Sequence, residues 1–277
     1  MCDLQGCGPQ NQLPPIPLSS QQRRLFLQGL ACLPLATVLS YPELAKAAAA
    51  TTQEASFKLE MGDEVKASVA LPASPEKAPA VLLIHEWWGL NDQIKAVAAE
   101  LANMGYLAIA VDLYAGKVAA NADEAKELMG KIDPEMATET MKGWVEWARK
   151  HERSSGKVAT LGWCFGGGWS LNTSVATPVD ATVIYYGRVE KPVDELKQLA
   201  GPVMGHFGKL DKSINEEMVK GFEKNMEAAG KTEALTVYWY DADHAFANPS
   251  GARYDEANAK LAWERTSDFL KMNLQSA

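Results

Sequence analysis

The chain has 277 residues, 47% of them hydrophobic and 22% charged, with a formal net charge of −8. That is enough apolar chain for one large domain with a full core. The negative balance argues against nucleic acid as the partner, which favours a basic surface, and no run in the body of the chain is long and apolar enough to span a bilayer.

The opening stretch, MCDLQGCGPQNQLPPIPLSS, is rich in Pro, Gln and Ser without periodicity, which predicts disorder. Arg23 and Arg24 then precede a modestly apolar run from Leu25 to Leu39, and Ala45–Lys46–Ala47 follows as an A-x-A pattern. Charged, apolar, small is the order of a secretory leader. The stretch RRLFL resembles a twin-arginine export signal, which carries folded proteins out of the bacterial cytoplasm. The other readings are a short amphipathic helix or an anchor; the run is too short and too broken by proline for an anchor. The expectation is residues 1–47 as a disordered start and export leader, a cut after Ala47, and residues 48–277 as one periplasmic or secreted domain free of the membrane. Cys2, Cys7 and Cys32 precede that cut, leaving Cys164 alone in the mature chain. It has no cysteine to pair with and makes a poor structural zinc site. An unpaired thiol in an oxidising compartment is either a small buried hydrophobe or a group with a task.

From residue 55 the pattern alternates. SFKLE and VKASVAL read as two antiparallel strands. AVLLIHE (80–86) is a continuous apolar run, as a strand covered on both faces requires. A helix fits Gln93 to Met104, stopped by Gly105, and YLAIAVDLY (106–114) is another buried strand. Helices fit 121–131 and 134–151, the second opened by Pro134, and Trp144 and Trp147 on it read as packing. KVATLGWC is a strand, followed by a helix over 166–176. Strands then fit 181–187, 201–208 and 234–241, with helices over 214–229 and 253–273. Repeated strand–helix units imply an α/β fold. Its sheet is mostly parallel, with helices on both faces and no separate cap domain.

In such sheets chemistry collects at the carboxyl ends of strands. Those ends deliver, in order, His85, Glu86 and Trp87, then Cys164, then Asp211, then His244. Nucleophile, acid, histidine is the chain order of α/β-hydrolases. GWCFGG has the form of a nucleophile elbow, G-x-Nuc-x-G, with cysteine in place of serine. So tight a strand-to-helix turn strains the nucleophile's dihedrals and needs Gly162 and Gly166 to avoid collision. The following helix aims its amino terminus at the thiol, which favours negative charge there. The Phe165 N–H is then placed to serve as one oxyanion donor. Asp211 also fits a helix cap near Ile214, and Glu86 a partner for a basic residue at the sheet edge. His85 and His206 read as structural. The aromatics Trp87, Trp88, Tyr114, Tyr185 and Phe246 fall at strand ends, where they line a pocket or pack the core.

The body, across nearly all of residues 55–275, resembles the dienelactone hydrolase family. The matching stretches are HEWWGLN (85–91), VDLYAG (111–116), GWCFGG (162–167), YYG (185–187), LD (210–211) and DHAF (243–246). The resemblance implies an ester or lactone hydrolase with a Cys–His–Asp triad. Cys164 is then the nucleophile, His244 the base and Asp211 its orienter. The second oxyanion donor is the Trp87 N–H, and Glu86 stands beside the resting thiol. A carboxylate there disfavours ionisation of the thiol, so a glutamate displaced by substrate keeps Cys164 quiet until needed. Two arginines that grip the substrate carboxylate in the namesake enzymes are missing: Gly116, followed by Lys117, and Asn248 stand at their places. Lys117 and Arg188 are the remaining candidates for a substrate anion. No metal or organic cofactor is implied, since no histidine–carboxylate cluster has ligand spacing such as H-E-x-x-H, and a monomer is expected. Two other classes remain open: a non-catalytic binding protein on a hydrolase scaffold, and a thiol redox protein. The second lacks any C-x-x-C pair.

Overall fold

The computed structural model describes residues 17–28, 33–60 and 62–275. The disorder expected over most of the first 20 residues, and Cys2, Cys7 and Cys32, lie outside these. Three helices precede the sheet: α1 (Ser20–Leu27), α2 (Leu35–Ser40) and α3 (Pro42–Ala49). Strands β1 (Gln53–Lys58) and β2 (Glu64–Ala70) form an antiparallel ribbon. There follow β3 (Ala78–Ile84), α4 (Asp92–Asn103), β4 (Leu107–Asp112), α5 (Ala122–Gly130), α6 (Pro134–Lys150), β5 (Ser154–Trp163) and α7 (Phe165–Ala176). The chain ends with β6 (Ala181–Tyr185), α8 (Val193–Leu196), β7 (Val203–Gly208), α9 (Glu216–Ala228), β8 (Leu235–Tyr240) and α10 (Glu256–Leu270). One eight-stranded sheet runs β1-β2-β4-β3-β5-β6-β7-β8. From β4 to β8 every pairing is parallel, and β2 joins β4 antiparallel.

The continuous apolar runs have the expected cause. Alternate residues of β3 serve opposite faces: Val81 and Leu83 pack towards α4 and α10, while Ala80, Leu82 and Ile84 pack with Met141, Trp144 and Val145 of α6. Local chemistry sets the helix ends. The Asn91 side chain accepts the Ile94 N–H to start α4, and Asp133 accepts from Glu135 and Met136 to start α6 behind Pro134. Helix α9 starts at Glu216, two residues later than its pattern suggested, because Asn215 takes the cap and accepts from Met218. Helix α10 starts at Glu256, not 253, because Asp255 caps it, and it closes in a π-type turn over Lys271–Gln275. The four-residue α8 has too little chain to carry a helical period and was not legible in advance.

The stretch that reads as a leader is helical where described. Leu44 and Ala45 of α3 are buried against Ala96 of α4, and the Gln93 amide donates to the Leu39 carbonyl. The expected cut after Ala47 falls inside α3. No described helix is long and apolar enough to cross a membrane.

Candidate active site

The turn from β5 to α7 is strained as its sequence demands. Cys164 has φ 55° and ψ −116°, in the left-handed half of backbone space. A Cβ on Gly162 would lie 2.0 Å from the Gly166 carbonyl oxygen. A Cβ on Gly166 would lie 2.2 Å from the Ile84 oxygen at the end of β3. Gly162 thus admits the elbow itself, and Gly166 lets the new helix pass close to the neighbouring strand. The Cys164 N–H donates to the Tyr185 carbonyl at 3.0 Å, tying the elbow to the end of β6. The sulfur belongs to a buried residue and sits at the amino end of a twelve-residue helix, a position that favours a thiolate.

Two loops away, His244 Nδ1 and Asp211 Oδ2 lie 2.6 Å apart, both residues buried. The other Asp211 oxygen accepts the N–H groups of Ser213 and Ile214 at 2.8 and 2.9 Å. Asp211 thus pairs with His244 and closes the turn ahead of α9, but it does not cap that helix; Asn215 does. Burial pushes the Asp211 carboxyl up. The His244 bond and charge and the two loop amides outweigh that, so it lies below the ordinary carboxylate value. A carboxylate at Nδ1 fixes the proton there and leaves Nε2 of His244 as the acceptor. The Tyr186 ring lies 5.1 Å from the imidazole. Tyr186 itself has φ 36°, and its N–H donates to the His206 carbonyl.

Glu86 is buried, and its Oε2 accepts from the Asn248 side-chain amide at 2.6 Å. The orientation of that amide is set by Ser250, whose N–H and hydroxyl both donate to Asn248 Oδ1. The sequence marked Asn248 only as a missing arginine; its place four residues after His244 was the available signal. Trp87 and Trp88 pack edge to face, with centroids 5.1 Å apart. The indole N–H of Trp87 and the Tyr114 hydroxyl are buried donors with no partner among the described residues, a condition that calls for water or ligand. Burial, with a smaller contribution from a negative Cys164, pushes the Tyr114 phenol well above its ordinary value. The other sequence candidates divide. Phe246 is fully buried beneath Tyr186 and Tyr240. Tyr185 spends its hydroxyl on Thr266. Lys117 is exposed on the loop facing Gly89, and exposed Arg188 is paired with Glu190 at 2.6 Å.

Beside the site lies a cavity of about 570 Å³. Leu35 and Leu39 of α2, Ile94 and Val97 of α4, and Trp163 and Trp263 line its apolar walls. Glu86, Tyr186 and Asn248 border it too, and among the described lining residues Glu100, Glu256 and Glu264 outnumber the one cation, Lys260. Among the described residues no group of three or more histidines, cysteines or carboxylates is placed to hold a metal ion.

This sheet order, with an elbow after β5 and an acid–histidine pair on the loops after β7 and β8, defines the class: the protein is an α/β-hydrolase. Residues 65–274 match the profile of the dienelactone hydrolase family. The carboxymethylenebutenolidase of Pseudomonas putida is 31% identical over 218 residues, covering 73% of this chain and 89% of that protein. Carboxymethylenebutenolidase 1 of Cupriavidus pinatubonensis is 28% identical, covering 71% and 87%. A candidate dienelactone hydrolase from Klebsiella pneumoniae, solved by crystallography, superposes with a TM-score of 0.69 at 26% identity, covering 78% and 96%. The chain belongs to the dienelactone hydrolase family, and it is an ester and lactone hydrolase.

Proposed function

We propose that the reaction runs through Cys164, His244 and Asp211 on a neutral, largely apolar ester or lactone. The observation that carries this reading is a strained cysteine at a strand–helix elbow together with a buried Asp211–His244 pair. His244 Nε2 takes the thiol proton as Sγ bonds to the substrate carbonyl carbon, and the carbonyl electron pair moves to oxygen. The oxyanion rests between the N–H groups of Phe165 and Trp87. Its collapse breaks the carbon–oxygen single bond, and His244 returns the proton to the leaving alkoxide. Water, deprotonated by His244, then attacks the thioester. This releases the acid and restores the thiol. Asp211 holds the tautomer and stabilises the imidazolium.

Glu86 restrains the resting thiol. Its replacement by Gln is expected to raise the rate of Cys164 alkylation in the absence of substrate; an unchanged rate sinks that role. Two features support a neutral substrate over the namesake dienelactone carboxylate. Neither gripping arginine is present, with Gly116 and Asn248 at those places, and the acids bordering the cavity repel a second anion. We assign no organic cofactor and no metal, a monomer as the working unit, and export by way of the Arg23–Arg24 pair to the periplasm or beyond. Retention in the cytoplasm after Arg23→Lys with Arg24→Lys is the expected result for that route.

The deciding experiment measures hydrolysis by the purified chain, beside Cys164→Ala, of a neutral aryl ester, an unsubstituted lactone and a carboxylated dienelactone. Turnover of the neutral compounds by the wild type alone is the expected result. Equal inertness of both proteins overturns the triad, and a preference for the charged lactone overturns the substrate class.

A further inference from the structure

His85 reads from sequence as a structural histidine, and its surroundings give it a narrower task. It is fully buried immediately after β3. Its Nδ1 lies 2.6 Å from the carbonyl oxygen of Glu86, the next residue. Its Nε2 accepts the Leu113 N–H at 3.3 Å, at the end of β4. The partners fix the tautomer: a carbonyl can only accept and an amide can only donate, so the proton sits on Nδ1 and Nε2 is bare. Burial, opposed by the Glu86 carbonyl and the Asp112 charge, also lowers the imidazole's affinity for a second proton.

The carbonyl that His85 holds belongs to the Glu86–Trp87 peptide. That peptide is trans, because no cis bond occurs among the described residues, so its C=O and N–H point in opposite directions. A donor fixing the carbonyl end therefore fixes the direction of the Trp87 N–H, which finds no acceptor among the described residues. The Gly89 N–H adds a second, longer bond to the same carbonyl at 3.2 Å. The other face of His85 meets the other oxyanion donor: its ring stacks on Phe165 with centroids 5.7 Å apart and planes within 19°.

We propose that His85 is a positioning residue of the oxyanion hole, aiming the Trp87 N–H through the Glu86 carbonyl and backing Phe165 with its ring. The inference rests on the thiol-hydrolase reading above. Positioned amides matter only where an oxyanion forms, and loss of one such donor costs about 10²- to 10³-fold in kcat. Removing the group that aims it costs less.

The test compares two reactions of the same sulfur. Ester hydrolysis passes through an oxyanion; alkylation of Cys164 by iodoacetamide displaces iodide from a saturated carbon and does not. For His85→Phe, which keeps the ring and loses both nitrogens, kcat on a neutral aryl ester is expected to fall about 10- to 100-fold with KM changed less than about threefold. The alkylation rate should stay within about twofold. His85→Asn returns a donor near the Nδ1 position and is expected to recover part of kcat, which also keeps the test intact should His85→Phe fail to fold. Parallel loss of hydrolysis and alkylation overturns the proposal, as does an unchanged kcat or an Asn variant no better than Phe. In the wild type, nitrogen NMR should find the His85 proton on Nδ1, and a proton on Nε2 overturns it as well. Full hydrolysis by Cys164→Ala is a different failure: it removes the thiol mechanism, and this inference with it.

Discussion

Two buried histidines, one inside β7 and one just past the adjacent β8, have neighbours that give them opposite characters. His244 follows β8 and faces a carboxylate at 2.6 Å. His206 lies within β7 and faces only hydroxyls: Tyr240 at 2.8 Å on Nδ1 and Thr266 at 3.0 Å on Nε2. A guanidinium completes the second environment, since Arg265 donates to the Tyr240 hydroxyl and lies over the Tyr238 ring. An imidazole beside an anion can accept a proton during a reaction and give it back. Burial first, and the Arg265 charge second, hold the His206 imidazole down to about 3, so it stays neutral at any ordinary pH. Burial alone therefore does not set a histidine's character; the charge of its neighbours separates these two.

Substitutions beside His244, at Asp211, and at His206 should separate chemistry from stability. Asp211→Asn keeps an acceptor for the Ser213 and Ile214 amides but no longer enforces the His244 tautomer. It is expected to lower kcat about 10³- to 10⁴-fold with little change in the thermal midpoint. His206→Phe should show the reverse. It is expected to lose roughly 2–4 kcal/mol of stability by chemical denaturation, because buried hydroxyls lose partners and packing changes. Its kcat should remain within about threefold of wild type; a loss like that of Asp211→Asn would show that the two histidines are coupled.

The pH dependence sharpens the contrast. His206 in the unfolded chain takes a proton near its ordinary value of 6.5, while in the folded protein it resists until about 3. Between those values the unfolded state binds the extra proton, so this stability contribution is complete above 6.5 and is lost as pH falls towards 3. The slope is up to about 1.4 kcal/mol per pH unit, and His206→Phe should remove one proton's worth of it in denaturation curves. Asp211, whose carboxyl is held low, contributes stability that persists until more acid pH and is lost as pH falls through its folded value. The smallest effect is expected from Arg265→Met: without the cation, the His206 imidazole should titrate higher by proton NMR, still below its ordinary value because burial is the larger cause.

Much of this site was legible in the sequence. The apolar runs gave the strands of the parallel core. Chain order at their ends then gave Cys164, Asp211 and His244, because in such a fold reactive groups have few other places to stand. The elbow glycines were legible because G-x-C-x-G has a steric reason, although the atoms nearest a Cβ on Gly166 belong to the end of β3 and not to its own turn. What stayed hidden depends on contacts between loops distant in sequence. The Asn248–Glu86 bond joins residues 162 positions apart, and the Leu113–His85 bond crosses from β4 to β3. Periodicity does not report a partner on another loop. The packing of Leu44 and Ala45 on α4 escaped for a different reason: a short Ala-rich stretch looks the same to a pattern search whether it docks on a surface or leaves it.

The order in which the strands are made bears on when the proposed triad can assemble. Strand β5 and Cys164 are synthesised before β7, β8 and the loop that carries His244. Under the proposed mechanism, a chain that stops short of residue 244 lacks the imidazole that pairs with Asp211. On that proposal, competence arises late, when the last strand adds to the sheet edge and brings His244 to an acid held in place by its own loop.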